Sequence, residues 1–331
     1  KAFDFLEEDQ LIPFTEGLLR VFDRYGERAR RNKARLKYLL KDIGLEELLR
    51  LVEEERKALS TKSYKVDTSS ENEQPKLPVP ADYSGVEVDD TEKFDKWVRT
   101  NVFEQKQPGF HGVYIKLLLG DMSSDLARRF ADIAEKYAAD DIRITVNQGY
   151  LLKFVTKDAL KPLFNELDRV GLAEPGFDST ADITACPGTD TCNLGISSST
   201  GIARALEDVI RNEYPDLVHN NDLKIKISGC PNSCGQHGLA SIGFHGSSIK
   251  NGQYVLPAVQ VMLGGGVNYD GEGEVAERVI KLPSKRGTDA LRYLLDDYEA
   301  NGNDGEYYKD YFKRQGKAYF YTLLKPLADL K

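Results

Sequence analysis

The chain has 331 residues and a formal net charge of −8 at pH 7, with 45 Lys and Arg against 53 Asp and Glu. This acidic balance disfavours a general nucleic-acid binder, because nucleic acids are held largely by Lys and Arg on their phosphates. No stretch approaches the roughly 20 apolar residues of a membrane span, and no signal peptide opens the sequence, so we expect a cytoplasmic protein with reduced thiols. The length predicts about two domains.

Residues 1–58 are predicted to be helical, and because the sequence starts inside this pattern, we expect them to be the end of a preceding domain. An apolar stripe in LIPFTEGLLRVFDRYG ends at Gly26, a second in NKARLKYLLKDIG ends at Gly44, and LEELLRLVEEERKAL follows. A basic run lies between the first two segments and consists of Arg28, Arg30, Arg31, Lys33, Arg35 and Lys37. Residues 59–90 are polar, contain Pro and lack periodicity, which predicts a linker.

Residues 91–175 show a regular alternation of elements. The strand-like FHGVYIKLLLG precedes an amphipathic helix, SSDLARRFADIAEKYAA, whose N-cap is expected at Ser123 or Ser124. Strands DIRITV and YLLKFV follow, and then a second helix that ends at Gly171. Strand, helix, strand, strand, helix is the order of a ferredoxin-like half-domain, so the predicted fold class is α+β.

Residues 176–331 are predicted to form a mixed α/β domain. A cysteine loop leads into an amphipathic helix, SSSTGIARALEDVIRNEY, and the strand LKIKISG then delivers a second cysteine loop. Further strands are expected in LASIGFHG and YVLPAVQVMLGGG, and a helix in GTDALRYLLDDYEAN. The segment LGGGV at Leu263–Val267 lacks the spacing of a phosphate-binding loop and indicates a turn.

All four cysteines lie in the two loops. Five residues separate Cys186 from Cys192, three separate Cys230 from Cys234, and 37 lie between the pairs. Four converging thiolates select zinc or an iron–sulfur cluster, and the five-residue spacing fits a structural zinc site poorly. A cluster accepts irregular loops, provided that backbone amides can approach the sulfurs. Buried structural cysteines, or two disulfides, remain the alternative.

Small and histidine residues surround these cysteines. His237 is a possible ligand or proton donor. A lone histidine near a turn more often has a structural role, and this interpretation applies to both His237 and His245. Small side chains that leave room for backbone amides are Gly188, Thr189, Asn193, Ser233 and Gly235.

Four stretches together resemble a known family. They are Cys186-x5-Cys192 with Cys230-Pro-Asn-Ser-Cys234-Gly-Gln, NVFEQKQPGF at Asn101–Phe110, RITVNQG at Arg143–Gly149, and the helical RVFDRYGERARRNKARLKYLL. Together they resemble the sirohaem-containing nitrite and sulfite reductases over essentially the whole chain. In that family two homologous halves surround the active centre, and this chain is similar to the second half with the end of the first.

The resemblance implies two cofactors in the mixed α/β domain. The four cysteines Cys186, Cys192, Cys230 and Cys234 would bind a [4Fe–4S] cluster, and Cys234 would also be the axial ligand of sirohaem. A thiolate shared by both metals would couple them electronically. Sirohaem carries many carboxylates, so cofactor-binding roles are expected for Arg31, Arg35 and Lys37, with Asn232 and Gln105 as neutral donors.

The resemblance also implies a reaction, the six-electron reduction of sulfite to sulfide, with nitrite reduction to ammonia as the alternative. The cations that grip the anion lie mainly in the family's earlier half, so no catalytic residue is assigned to this chain. The electron donor would be ferredoxin or a flavoprotein. Two other hypotheses remain: an iron–sulfur electron-transfer module without catalysis, and a nucleic-acid contact through residues 20–37, against which the net charge speaks.

Overall fold

The computed structural model describes residues 1–67, 76–267, 271 and 273–330. The chain divides into two compact units, Lys1–Gln74 and Pro75–Lys331. Of the predicted linker 59–90, residues 68–75 lie outside the described part, and the remainder contains no helix or strand. None of the described helices is long and apolar enough to cross a membrane.

The first unit is a helical pair, α1 at Leu11–Tyr25 and α2 at Leu36–Ala58. Helix α1 ends at Gly26, as predicted. As predicted, the helix that begins at Leu36 is interrupted at Gly44, whose φ of +80° and ψ of 166° are not helical, so α2 consists of two helical parts joined at this kink. The two helices pack through buried apolar side chains, Val21, Leu39, Leu48 and Val52.

The second unit begins with the predicted ferredoxin-like sheet. Its strands are antiparallel in the order β1-β2-β4-β3, and its elements are α3 (Thr91–Asn101), β1 (Val102–Glu104), β2 (Phe110–Ile115), α4 (Ser124–Tyr137), β3 (Ile142–Ile144), β4 (Tyr150–Thr156) and α5 (Leu160–Arg169). The predicted order is confirmed, and the Ser123 side chain caps α4 by accepting the Leu126 N–H. Sequence periodicity missed α3, although Trp97 on that helix is fully buried in the core under this sheet.

A second sheet carries the cysteine loops, and its strands lie in the order β11-β8-β7-β6-β5. The strands are β5 (Thr184–Ala185), β6 (Ile225–Ser228), β7 (Ile242–Asn251), β8 (Tyr254–Leu263) and β11 (Glu277–Pro283), with a short separate pair formed by β9 (Gly266–Val267) and β10 (Gly273–Glu274). Strands β5, β6 and β7 are parallel, and β7, β8 and β11 are antiparallel.

Helices cover this sheet, and the hydrophobic core lies between the two layers. They are α6 (Ser199–Glu213), α7 (Gly287–Asn301), α8 (Tyr308–Gln315) and α9 (Lys317–Leu324). All four residues of β6 are buried, which is typical of a parallel strand covered on both faces. Because β5 and β6 are parallel neighbours, with Ala185 paired to Ile227, their following loops leave the sheet at the same edge.

Candidate functional site

The two cysteine loops are in direct contact at this edge. Cys186 follows β5 immediately, and its N–H donates to the Ile227 carbonyl at 3.2 Å. In return the Gly229 N–H donates to Cys186 Sγ at 3.1 Å, and the Gly229 carbonyl accepts the N–H groups of Ile196 and Ser197. The structure therefore brings together two segments that lie more than 40 residues apart in the sequence.

Glycines allow this contact. A Cβ placed on Gly229 would lie 2.5 Å from Gly188 Cα, and one on Gly246 of β7 would lie 1.9 Å from the Gly229 carbonyl oxygen. A Cβ on Gly235 would likewise lie 1.9 Å from the Ile227 carbonyl oxygen. We call Gly188, Gly229 and Gly246 the glycine seam, because no side chain fits where the backbones of the two loops and β7 meet.

The four thiols differ in exposure. Cys230 is 8% exposed and Cys186 is half-buried, whereas Cys192 and Cys234 are exposed. Each loop therefore supplies one sheltered cysteine near its strand and one accessible cysteine farther along. All four are free thiols, so the two-disulfide alternative is not what the structure contains.

The two loops together offer four thiolate ligands. Within the described ranges, no three His, Cys, Asp or Glu side chains converge on one metal-sized point. Four thiolates are the usual ligand set of a cubane iron–sulfur cluster, in which each thiolate binds a separate iron. The Gly229 N–H on Cys186 Sγ is also the type of hydrogen bond that adjusts the potential of an iron–sulfur site.

Two buried histidines support the second loop. His237 Nδ1 lies 2.8 Å from Ser228 Oγ, and the same hydroxyl oxygen accepts the Gly235 N–H at 3.0 Å. Burial lowers the pKa of His237 to about 4, and burial also lowers the pKa of His245, whose ring centroid lies 4.7 Å away. Near pH 7 His237 is therefore neutral and is bonded to the loop, which fits a structural role better than a proton donor.

A tight turn of the ferredoxin-like sheet holds the first loop. Between β3 and β4, Gln148 adopts a φ of +66°. Its Nε2 donates to the Ala185 carbonyl at 2.8 Å, and its Oε1 accepts the Ala185 N–H at 2.8 Å. The Gln148 side-chain amide thus forms the pair of hydrogen bonds to the edge strand β5 that a neighbouring strand would form. Their partner, Ala185, immediately precedes Cys186.

The same turn holds the second loop. Gln236 Nε2 donates to the Val146 carbonyl at 3.1 Å, while Lys226 Nζ donates both to Asn147 Oδ1 at 2.9 Å and to Gln236 Oε1 at 3.1 Å. We call residues 145–149 with these partners the polar clip. Sequence reasoning noted RITVNQG only as part of the family pattern, and assigned no role to Gln148, Asn147 or Lys226, because their partners lie as many as 79 residues away.

The predicted sirohaem contacts lie in three places. Asn232 is exposed in the second cysteine loop. Gln105 belongs to the ferredoxin-like sheet, where its Oε1 accepts the Phe154 N–H at 2.6 Å, so its amide oxygen has a structural bond. The three basic residues of the first unit, Arg31, Arg35 and Lys37, are exposed at and before the start of α2.

Comparison with known proteins identifies relatives of both parts of the chain. The family model "Nitrite and sulphite reductase 4Fe-4S domain" matches residues 1–59 and 176–326, and "Nitrite/Sulfite reductase ferredoxin-like half domain" matches residues 103–170. The chain is 27% identical to the ferredoxin–nitrite reductase of Synechococcus elongatus, over 87% of this chain and 51% of that protein. It is 26% identical to sulfite reductase (ferredoxin) 2 of Mycolicibacterium paratuberculosis, over 89% of this chain and 49% of that protein.

A solved structure shares the fold. The NirA protein of Mycobacterium tuberculosis superimposes with a TM-score of 0.71 at 24% identity, covering 97% of this chain and 55% of that one. The chain thus spans about half the length of the relatives that it matches.

Proposed function

Because this chain belongs to the nitrite and sulfite reductase family, we propose that it is the cluster-bearing half of an oxidoreductase that reduces sulfite to sulfide. The observation that carries the proposal is the contact of the two cysteine loops across the glycine seam, with the Gly229 N–H on Cys186 Sγ. When bound, a [4Fe–4S] cluster coupled to sirohaem would relay electrons from the electron donor to the anion, six for each anion reduced.

The chain's own residues would hold and orient these cofactors. Cys186, Cys192, Cys230 and Cys234 are the proposed cluster ligands, and Cys234 would hold the haem iron as well. Its exposure supports this second role, because a thiol that bonds two metals must be reachable from outside the loops. The polar clip would keep both loops at a constant separation while electrons pass, so that little reorganisation is needed.

The sirohaem carboxylates would be bound by the basic residues of the first unit, Arg31, Arg35 and Lys37, and by the neutral donors Asn232 and Gln105. Exposure of the three basic side chains leaves them available to a charged partner. Of the two neutral candidates, Asn232 is the better placed, since it lies between Cys230 and Cys234 and is exposed.

Nitrite is the second candidate substrate, because the relatives include proteins named as nitrite reductases and proteins named as sulfite reductases at nearly equal identity. The same names support ferredoxin, rather than a flavoprotein, as the electron donor. Measuring kcat/KM of the complete protein with reduced ferredoxin and each anion distinguishes the two candidates. The anion with the higher kcat/KM is the physiological substrate.

Anaerobic reconstitution with iron and sulfide tests the cluster. The chain is expected to bind about four irons and four sulfides and to give the spectrum of a reduced cluster on addition of dithionite. Cys234→Ser is expected to lose most of this iron while retaining the far-ultraviolet circular dichroism of the folded chain, because residue 234 is exposed. Ser247→Ala is a control outside the cysteine loops. The proposal would be contradicted if the wild-type chain bound one equivalent of zinc and no iron, and if Cys234→Ser lost that zinc.

A further inference from the structure

Cys234 lies at the centre of a tight turn. The Gln236 N–H donates to the Ser233 carbonyl at 2.8 Å and closes the turn, with Cys234 and Gly235 between them. Ser233 has a φ of +65° and Gln236 a φ of +59°, values that residues other than glycine rarely adopt. Such conformations cost free energy and persist where the surrounding structure enforces them. Other groups must therefore hold this turn in place.

A buried side chain of the neighbouring strand holds it. The Ser228 hydroxyl, at the end of β6, accepts the Gly235 N–H at 3.0 Å, and Ser228 is only 1% exposed. A peptide group is planar and includes the Cα atoms of both its residues. The bond to Ser228 therefore fixes the peptide plane that follows Cys234, and the bond to the Ser233 carbonyl fixes the plane that precedes it. Since both planes share the Cα of Cys234, the direction of its Cα–Cβ bond is determined.

His237 orients the hydroxyl that forms this anchor. Its Nδ1 lies 2.8 Å from Ser228 Oγ, and the residue is buried. Because Ser228 Oγ accepts the Gly235 N–H, the hydroxyl proton needs an acceptor of its own, and within the described part of the chain His237 Nδ1 lies at the required distance. Buried polar groups are nearly always bonded, so Nδ1 carries the lone pair and Nε2 carries the proton. In this tautomer both bonds of the Ser228 hydroxyl are satisfied.

The other exposed cysteine is held in a different way. The Cys192 N–H donates to the Gly188 carbonyl, and the Cys192 carbonyl accepts the Gly195 N–H, each at 2.9 Å. Both bonds join backbone atoms within the first cysteine loop. Of these two exposed thiols, Cys234 is thus the one whose direction depends on a side chain of the sheet.

We propose that Ser228 and His237 are positioning residues that set the direction of the Cys234 thiol. This role rests on the proposed function, in which Cys234 binds a cluster iron and the haem iron, because a ligand shared by two metals needs a defined direction toward each. The anchor acts from the sheet and leaves the thiol itself exposed. Groups behind a metal ligand commonly orient it in this way.

Amide hydrogen exchange of the iron-free chain, followed by nuclear magnetic resonance, tests the anchor without any cofactor. In Ser228→Ala, Gly235 should exchange at least about tenfold faster than in wild type, which corresponds to the loss of one hydrogen bond. His237→Leu should accelerate the same amide severalfold, because the hydroxyl loses its acceptor. His237→Asn should exchange as wild type does, since its side-chain amide oxygen can replace Nδ1 as the acceptor. Thr200→Val is the matched control, because it removes an exposed hydroxyl bond to Asp190 beside the first cysteine loop.

The iron-loaded chain tests the consequence for the thiol. When a chelator removes the iron in the presence of iodoacetamide, each thiol is alkylated as its iron is lost, and peptide mapping compares Cys234 with Cys192. In Ser228→Ala and His237→Leu, the rate at Cys234 relative to Cys192 should rise severalfold, and in Thr200→Val this ratio should remain that of wild type. A general loss of stability would accelerate both cysteines equally, so the ratio separates positioning from stability.

Two results overturn the proposal: wild-type exchange at Gly235 in both Ser228→Ala and His237→Leu, or an unchanged ratio of the two cysteines in both variants. If His237→Asn exchanges as fast as His237→Leu, His237 acts by packing and is not a positioning residue. If His237→Leu does not fold, Ser228→Ala decides alone, because it removes only one oxygen atom. If the wild-type chain binds no iron, the cluster proposal fails, whereas the exchange result still decides whether Ser228 and His237 hold the turn.

Discussion

The cysteine site is framed by two regions that are built in different ways, the glycine seam and the polar clip. In the seam, backbone touches backbone, and a single added carbon would collide with a carbonyl oxygen. In the clip, side-chain amides and one ammonium bond the loops across gaps of ordinary hydrogen-bond length. The seam therefore excludes any side chain larger than glycine by steric conflict. In the clip, each hydrogen bond contributes separately to stability. Each region predicts its own response to substitution.

The largest effect is expected in the seam. Gly246→Ala would place a Cβ 1.9 Å from the Gly229 carbonyl oxygen, so either β7 or the second loop must move. We expect a loss of about 3 kcal/mol or more in the free energy of unfolding, together with loss of cluster assembly. Urea unfolding and iron content measure the two effects. Gly287→Ala is the control, because its nearest new contact would be 3.6 Å away, and it should be close to neutral. Equal tolerance of both substitutions would contradict the seam.

The free energy of unfolding should depend on pH through two buried groups, Asp182 and His237, whose contributions change with pH in opposite directions. Burial raises the pKa of Asp182, two residues before β5, to about 6, and Lys116 only partly opposes this. The native state therefore binds a proton that the unfolded chain releases near pH 4, so this contribution to stability is full below about pH 4 and is lost as the pH rises through 6. His237 behaves in the opposite way. Its pKa is lowered to about 4 from 6.5, so its contribution is present above pH 6.5 and is lost as the pH falls through 4.

Substitutions of Asp182 and His237 are therefore expected to change the slope of the free energy of unfolding against pH in opposite directions. Between pH 4 and 6.5, Asp182→Asn should make the free energy of unfolding rise more steeply with pH than in wild type, and His237→Gln should make it rise less steeply. Each change should amount to about 1–3 kcal/mol across the window. Urea unfolding at intervals of half a pH unit measures both slopes. Slopes that change in the same direction would show that one of the two pKa shifts has the wrong sign.

The smallest effect is expected in the clip. Gln148→Ala removes two neutral hydrogen bonds to Ala185 and should cost about 1–2 kcal/mol in the free energy of unfolding. The cluster should still assemble, but its midpoint potential or its electron paramagnetic resonance spectrum should change, because Cys186 adjoins the released strand. Gln253→Ala, in the exposed turn between β7 and β8, is the control and should change neither. If the electron paramagnetic resonance spectrum of Gln148→Ala were identical to that of wild type, the clip would have only a structural role.

Much of this architecture can be predicted from local sequence. The stop at Gly26, the cap at Ser123 and the strand and helix order of the ferredoxin-like sheet follow from signals within a few residues. Helix α3 was missed because its buried Trp97 follows a polar linker and stands among charged residues, which hides its short apolar stripe. The interruption of α2 at Gly44 also follows from a local signal, because a glycine that can adopt positive φ commonly ends a helical run.

By itself, the sequence determined which chemistry is possible: four soft thiolate ligands in two small-residue loops, on a scaffold of alternating strands and helices. Only the tertiary structure decided which groups meet: Cys186 against Gly229, Gln148 against Ala185, and Lys226 against Asn147. The physical reason is the range of the forces involved. Periodicity, caps and turns depend on neighbours within one or two turns of chain, whereas these contacts join residues 37 to about 80 positions apart and form only when the whole second unit packs.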